Sequence, residues 1–132
     1  MSVAFVHGRL AVTATWFMLF LGLWAIYLWI RSKPLGASWF GAAIIAELLI
    51  VVQGLLGAWM YLFQGLGPVL PRPFMHILYG IVALITLPAA WAYFGNLGEE
   101  RVKTLAMGMT SIFLWGILLR ASSTAQYLPP AL

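Results

Sequence analysis

The chain has 132 residues, 64% of them hydrophobic and only 8% charged, with seven Lys and Arg against three Asp and Glu. A soluble domain carries about a quarter charged residues, so this composition excludes a soluble catalytic domain and a nucleic-acid surface; the net charge of +4 is that of basic loops beside lipid headgroups. With no cysteine, disulfides, thiolate ligands, iron–sulfur clusters and haem attached through a Cys pair are excluded as well.

Four apolar runs of membrane-spanning character follow one another. The first, residues 10–30, holds no charge. It follows an N-terminal stretch without a basic segment or a cleavage signal, and it is expected to be a retained span. Arg31, Ser32, Lys33, Pro34 and Gly36 mark the turn into the second run, residues 39–63, whose one charge is Glu47. Gly65, Gly67, Pro68, Pro71 and Pro73 separate this run from the third, residues 74–94, again uncharged. Gly95, Asn96 and Gly98 lead to the fourth, residues 103–120, whose flanking Lys103 and Arg120 extend it by snorkelling. Residues 121–132, with Pro129 and Pro130, are expected to be extended. Short links force antiparallel neighbours, so residues 1–132 are predicted to form a single domain. The expected fold class is an all-α membrane protein, an up-down-up-down four-helix transmembrane bundle.

Lys and Arg near span ends divide four against three: Arg31, Lys33, Arg101 and Lys103 on one side, Arg9, Arg72 and Arg120 on the other. The majority favours the 1–2 and 3–4 loops in the cytoplasm and both termini outside, in a bacterial inner membrane. Trp29, Trp39, Trp91 and Tyr93 gather at the predicted inner boundary, with Tyr61 and Trp115 toward the outer one, as an interfacial aromatic belt.

The chain has two histidines, His7 and His76, each at the start of a span that runs in the same direction. Both imidazoles are therefore expected at one depth, and two neutral imidazoles facing across a bundle form an axial ligand set for haem iron. Ala11, Ala14, Met18 and Gly22 share the helix face of His7; Tyr79, Gly80, Ala83 and Leu87 share that of His76. Small residues below each histidine leave room for a porphyrin edge, although they equally serve close helix packing. Arg9 and Arg72 lie at the same end and suit haem propionates, and Tyr79 offers a further donor.

The segments His7-Gly8-Arg9-Leu10-Ala11, Gln53-Gly54-Leu55-Leu56-Gly57-Ala58 and Pro71 to Gly80 resemble one half of the haem A synthase family. The resemblance implies histidine ligands at the start of alternate helices, a Gln-x-x-Leu-Gly pattern between them (Gln53, Leu56, Gly57), and outward-facing histidines. The family joins two such halves, and its catalytic half has a glutamate where Ala4 stands. The resemblance therefore points to a relative carrying a single haem b, or to a scaffold that has lost its haem, rather than to haem A synthesis.

Glu47 stands near the bilayer centre, where a bare carboxylate is costly. Its expected roles are proton transfer coupled to quinone or electron chemistry, a hydrogen bond to a partner subunit, or a neutral hydrogen bond to a neighbouring helix, through a backbone carbonyl or the hydroxyl of Thr13, Thr15, Thr86 or Ser111. Gln53 is expected to serve helix packing.

Three functions are compatible with these features. The favoured one is a small electron-transport protein with one bis-histidine b-type haem near the outer face, acting as a carrier or complex subunit rather than a stand-alone enzyme. A second is a haem-free accessory subunit of a respiratory or photosynthetic membrane complex, docking through Gly54, Gly57 and Ala58. The third is a proton-coupled exporter using Glu47, weakened by the uncharged first span. The expected partners are the bilayer, other subunits of an electron-transport complex and, through Glu47, a quinone.

Overall fold

A computed structural model describes residues 2–125. Among the described residues there are four α-helices, α1 Val3–Ile30, α2 Ala37–Phe63, α3 Pro73–Phe94 and α4 Glu100–Ser123, with a short 3-10 turn at Gly67–Val69 between α2 and α3. The shortest α-helix has 22 residues, and at about 1.5 Å per residue it still crosses a hydrocarbon core of about 30 Å. The protein is thus a four-helix integral membrane bundle.

Local chemistry sets the helix ends. The Ser2 hydroxyl caps α1 by accepting from the Phe5 N–H at 3.1 Å. Pro73 opens α3, where its missing N–H costs nothing. Glu100 in the first turn of α4 and Arg120 in its last complement the helix dipole. The α1–α2 turn is closed by the Lys33 N–H donating to the Leu28 carbonyl at 2.8 Å. Across that turn, the Arg101 guanidinium donates to Ser32 Oγ at 2.7 Å and to the Trp29 carbonyl at 3.0 Å, tying α4 to the end of α1.

Successive helices pack side by side, and α4 closes the ring against α1 across the most extensive interface. Between α2 and α3 the packing is loosest of the four helix pairs. The first and third helices stand diagonally opposed: among the described residues, no Cα of α1 lies within 8 Å of a Cα of α3. The core repeats at intervals of three and four: Ala14, Met18, Leu21 and Ala25; Trp39, Ala43, Ala46 and Ile50; Ala83, Leu87 and Ala90; Met107, Ser111, Leu114 and Leu118. That spacing is the seam of a shallow-angled helix bundle. Alanine recurs in it because, in lipid, close backbone approach and van der Waals packing hold helices together. Gly22 takes this furthest, since a Cβ there would lie 2.5 Å from Ile112 Cδ1 and 3.2 Å from the Ile112 backbone nitrogen. Large apolar side chains such as Phe20, Leu55, Leu62 and Phe63 point outward, as a lipid-facing surface requires.

Three expectations need correction. The fourth helix runs on through Ser123, because nothing between Arg120 and Ser123 breaks it; Pro129 and Pro130 lie outside the described residues. Trp39 is no boundary anchor: it is fully buried, and its Nε1 donates to the Leu21 carbonyl at 3.1 Å. Trp115 has a buried, unpartnered Nε1, unlike the wet indole of an interfacial belt.

Candidate functional site at the paired histidines

His7, in the second turn of α1, and His76, in the first turn of α3, meet at one end of the bundle. Their ring centres are 6.2 Å apart and the planes are inclined at 69°. Since α1 and α3 are diagonal partners, the two imidazoles reach toward each other across the bundle interior. Both are half-buried.

Each ring is held by a main-chain carbonyl on another helix. His7 Nδ1 lies 3.0 Å from the carbonyl oxygen of Gln53 on α2. His76 Nδ1 lies 2.7 Å from that of Ala121 on α4, with Thr124 Oγ1 at 3.5 Å. A carbonyl only accepts, so Nδ1 donates in both rings, and in a neutral imidazole Nε2 is then the nitrogen with the lone pair. A carbonyl that accepts from the ring nitrogen facing away from the metal is how metal-bound histidines are commonly oriented. Gly57, one turn beyond Gln53, completes the seat of His7: a Cβ there would stand 3.3 Å from the imidazole Cε1. One turn below His76, a Cβ on Gly80 would meet nothing within 4 Å. Ala14, Met18, Ala83 and Leu87, two to three turns in, close the floor.

The spacing suits a shared metal. Two imidazoles bonded to one metal at about 2 Å have ring centres roughly 6 Å apart. The inclination is no obstacle, because two imidazoles on one metal need no fixed angle between their ring planes. Among the described residues, no cluster of three or more His, Cys, Asp or Glu exists. A closed protein-only metal site, which takes three or four side chains, is therefore not formed there.

The other candidates are placed as follows. Arg9 is exposed at the same end of α1 as His7, its guanidinium 5.9 Å from the Phe5 ring centre. Arg72 caps α3 one turn before His76 and is exposed. Among the described residues neither has a carboxylate partner, the ion pair present being Lys103–Glu100 at 3.4 Å. Tyr79 is half-buried on the His76 face. The Gln53 and Ala121 carbonyls were not foreseen, because a main-chain acceptor carries no residue signature. Gly57 belonged to the Gln-x-x-Leu-Gly pattern, and its packing on His7 is a reason for glycine there.

Glu47 lies apart, on the α2 face toward α3. It makes none of the expected hydroxyl contacts, and its Oε2 is buried without a partner. The four hydroxyls are consumed locally: Thr13, Thr15, Thr86 and Ser111 donate to the carbonyls of Arg9, Ala11, Val82 and Met107. This i to i−4 bonding is the nearest acceptor available to a helical Thr or Ser. Gly54 and Gly57, expected on a docking face, are turned into the bundle, against Leu84 and His7.

No family model, curated protein or solved structure matches this chain.

Proposed function

We propose that the protein is a small membrane electron-transport protein in which His7 and His76 hold one b-type haem at one face of the bundle, as part of a larger respiratory or photosynthetic complex. The observation carrying this reading is the imidazole pair, 6.2 Å between ring centres, with each Nδ1 bound to a carbonyl and each Nε2 left to ligate. The open space at Gly80 and the unpaired cations Arg9 and Arg72 at the same end support it, as does the half-bundle resemblance to haem A synthases. Bound haem would supply a one-electron carrier to the site that His7 and His76 would hold. The chain's own residues fix the imidazole tautomers, limit depth through Ala14 and Ala83, and offer Arg9 and Arg72 to carboxylates. The Lys and Arg distribution favours the histidine end outside, in a bacterial inner membrane.

The test is a visible spectrum of the purified protein, oxidised and dithionite-reduced, with and without added haem. A low-spin spectrum is expected in the native chain and should vanish in His7→Asn and His76→Asn. Asparagine keeps an N–H at the Nδ1 position for the carbonyl but has nothing at Nε2. A native protein with no low-spin spectrum, even after haem is added, would refute the proposal.

A second reading, a haem-free accessory subunit, draws support from the same hydrogen bonds. His7 already links α1 to α2, and His76 links α3 to α4, so both are useful as staples alone. In that case the Asn variants would be silent, and deletion of the chain would lower assembly of its complex rather than turnover per assembled unit.

A further inference from the structure

Helices α2 and α3 touch high in the bundle, where a Cβ on Gly54 would lie 3.3 Å from Leu84 Cδ1. They meet again at the other end, where Phe40 and Trp91 pack edge to face at 4.8 Å. Between these contacts they part around a cleft of about 340 Å³. Phe40, Ala43, Ile44 and Glu47 line it from α2, Leu87, Pro88 and Trp91 from α3, and Trp39 and Met107 also border it. Ile44, Pro88 and Trp91 are exposed, so the mouth opens sideways to lipid.

The cleft is aromatic and apolar with one unsatisfied polar group. Trp39 has spent its Nε1 on Leu21, whereas Glu47 Oε2 is buried there without a hydrogen bond. An unpaired polar atom in so apolar a place is a standing cost. An acyl chain filling the cleft would leave that cost in place. A flat ring bearing carbonyls would remove it.

We infer that this cleft is a lateral binding site for the ring of a membrane quinone, with Glu47 as its hydrogen-bonding residue. Its volume falls at the small end of the roughly 300–1,000 Å³ typical of ligand sites, the scale of a single substituted ring. Phe40 and Trp91 offer aromatic surfaces to that ring. A carboxyl group serves both redox forms: its O–H donates to a quinone carbonyl, and its oxygen accepts from a quinol hydroxyl. Gly57, which seats His7, is ten residues along α2 from Glu47, or about 15 Å. The assignment supplies a lipid-soluble partner for the proposed electron-transport function and rests on that reading for its purpose, though not for its geometry.

The test titrates decylubiquinone into the purified full chain in detergent, read by quenching of tryptophan fluorescence, with decylbenzene as the carbonyl-free control. Saturable binding is expected for decylubiquinone, about tenfold tighter than for decylbenzene, the value of one hydrogen bond in an apolar site. Glu47→Leu should remove that advantage. Glu47→Gln, which still donates and accepts, should stay within about threefold of the native affinity. Ile44→Trp, at the exposed mouth, should block binding with Glu47 intact, and it decides the matter if Glu47→Leu does not fold. Equal affinity for the two ligands, or unchanged binding in Ile44→Trp, overturns the assignment. The haem spectrum is read separately. Quinone binding without a haem spectrum refutes the electron-transport reading and leaves the site standing; a haem spectrum without selective quinone binding does the reverse.

Discussion

Gly57 and Glu47 are the residues at which packing and function pull apart most clearly. A methyl group on Gly57 would press on the His7 ring at 3.3 Å, and the ring has no slack because Nδ1 is tied to Gln53. Gly57→Val is expected to displace the imidazole, destabilise the bundle by about 1–3 kcal/mol and abolish any low-spin haem spectrum. Unfolding in SDS and visible absorbance check the two effects. Glu47 behaves in the opposite sense. Its unpartnered Oε2 is a burden in the folded protein, so Glu47→Leu is expected to raise stability in SDS by up to about 2 kcal/mol while removing quinone selectivity. A fall in stability would mean that the carboxyl has a partner in the membrane.

At the level of elements, the α1–α4 pair sets the strength of the bundle. Its closest approach is at Gly22, which faces the backbone of Ile112 as well as its side chain. Rotation of one side chain cannot relieve a clash with backbone, so Gly22→Leu should force the helices apart. A loss of about 2–3 kcal/mol in SDS unfolding is expected. Gly116 on α4 is the matched control, since a Cβ there meets nothing within 4 Å. Gly116→Ala should be neutral or stabilising by up to about 1 kcal/mol. Equal damage from both substitutions would show that the close α1–α4 approach at Gly22 does not govern the result.

For the whole molecule, the decisive property is parity. Four spans put Ser2 on the same side as the α2–α3 connection, and Ser32 and Asn96 on the other. The chain contains no cysteine, so Ser2→Cys, Ser32→Cys, Val69→Cys and Asn96→Cys are clean reporters. An impermeant maleimide added to intact cells is expected to label Ser2→Cys and Val69→Cys and to spare the other two. The reversed pattern would invert the orientation drawn from the four-to-three Lys and Arg division. Labelling of Ser2→Cys and Ser32→Cys from one side would contradict the bundle itself.

Much of this architecture was legible in the residue order. Four uncharged or nearly uncharged runs, broken by Gly and Pro, leave a chain in hydrocarbon no alternative to helices, because every backbone polar group must be satisfied within its own segment. Short links then impose antiparallel order, and that order alone brings His7 and His76 to the same end. What the order of residues leaves open is rotation of each helix about its axis and the spacing between helices. Those depend on the fit of one surface into another: Gly22 against Ile112, Gly54 against Leu84, Trp39 reaching the Leu21 carbonyl. The same fit brings the imidazoles to 6.2 Å and chooses the Gln53 and Ala121 carbonyls as their partners. It also parts α2 from α3 around Glu47 and leaves Oε2 buried there without a hydrogen bond. Hydrophobicity and turn chemistry act through each residue's own neighbours in the chain and are written in the sequence. Close packing is a property of pairs of surfaces, and it exists only once the helices have met.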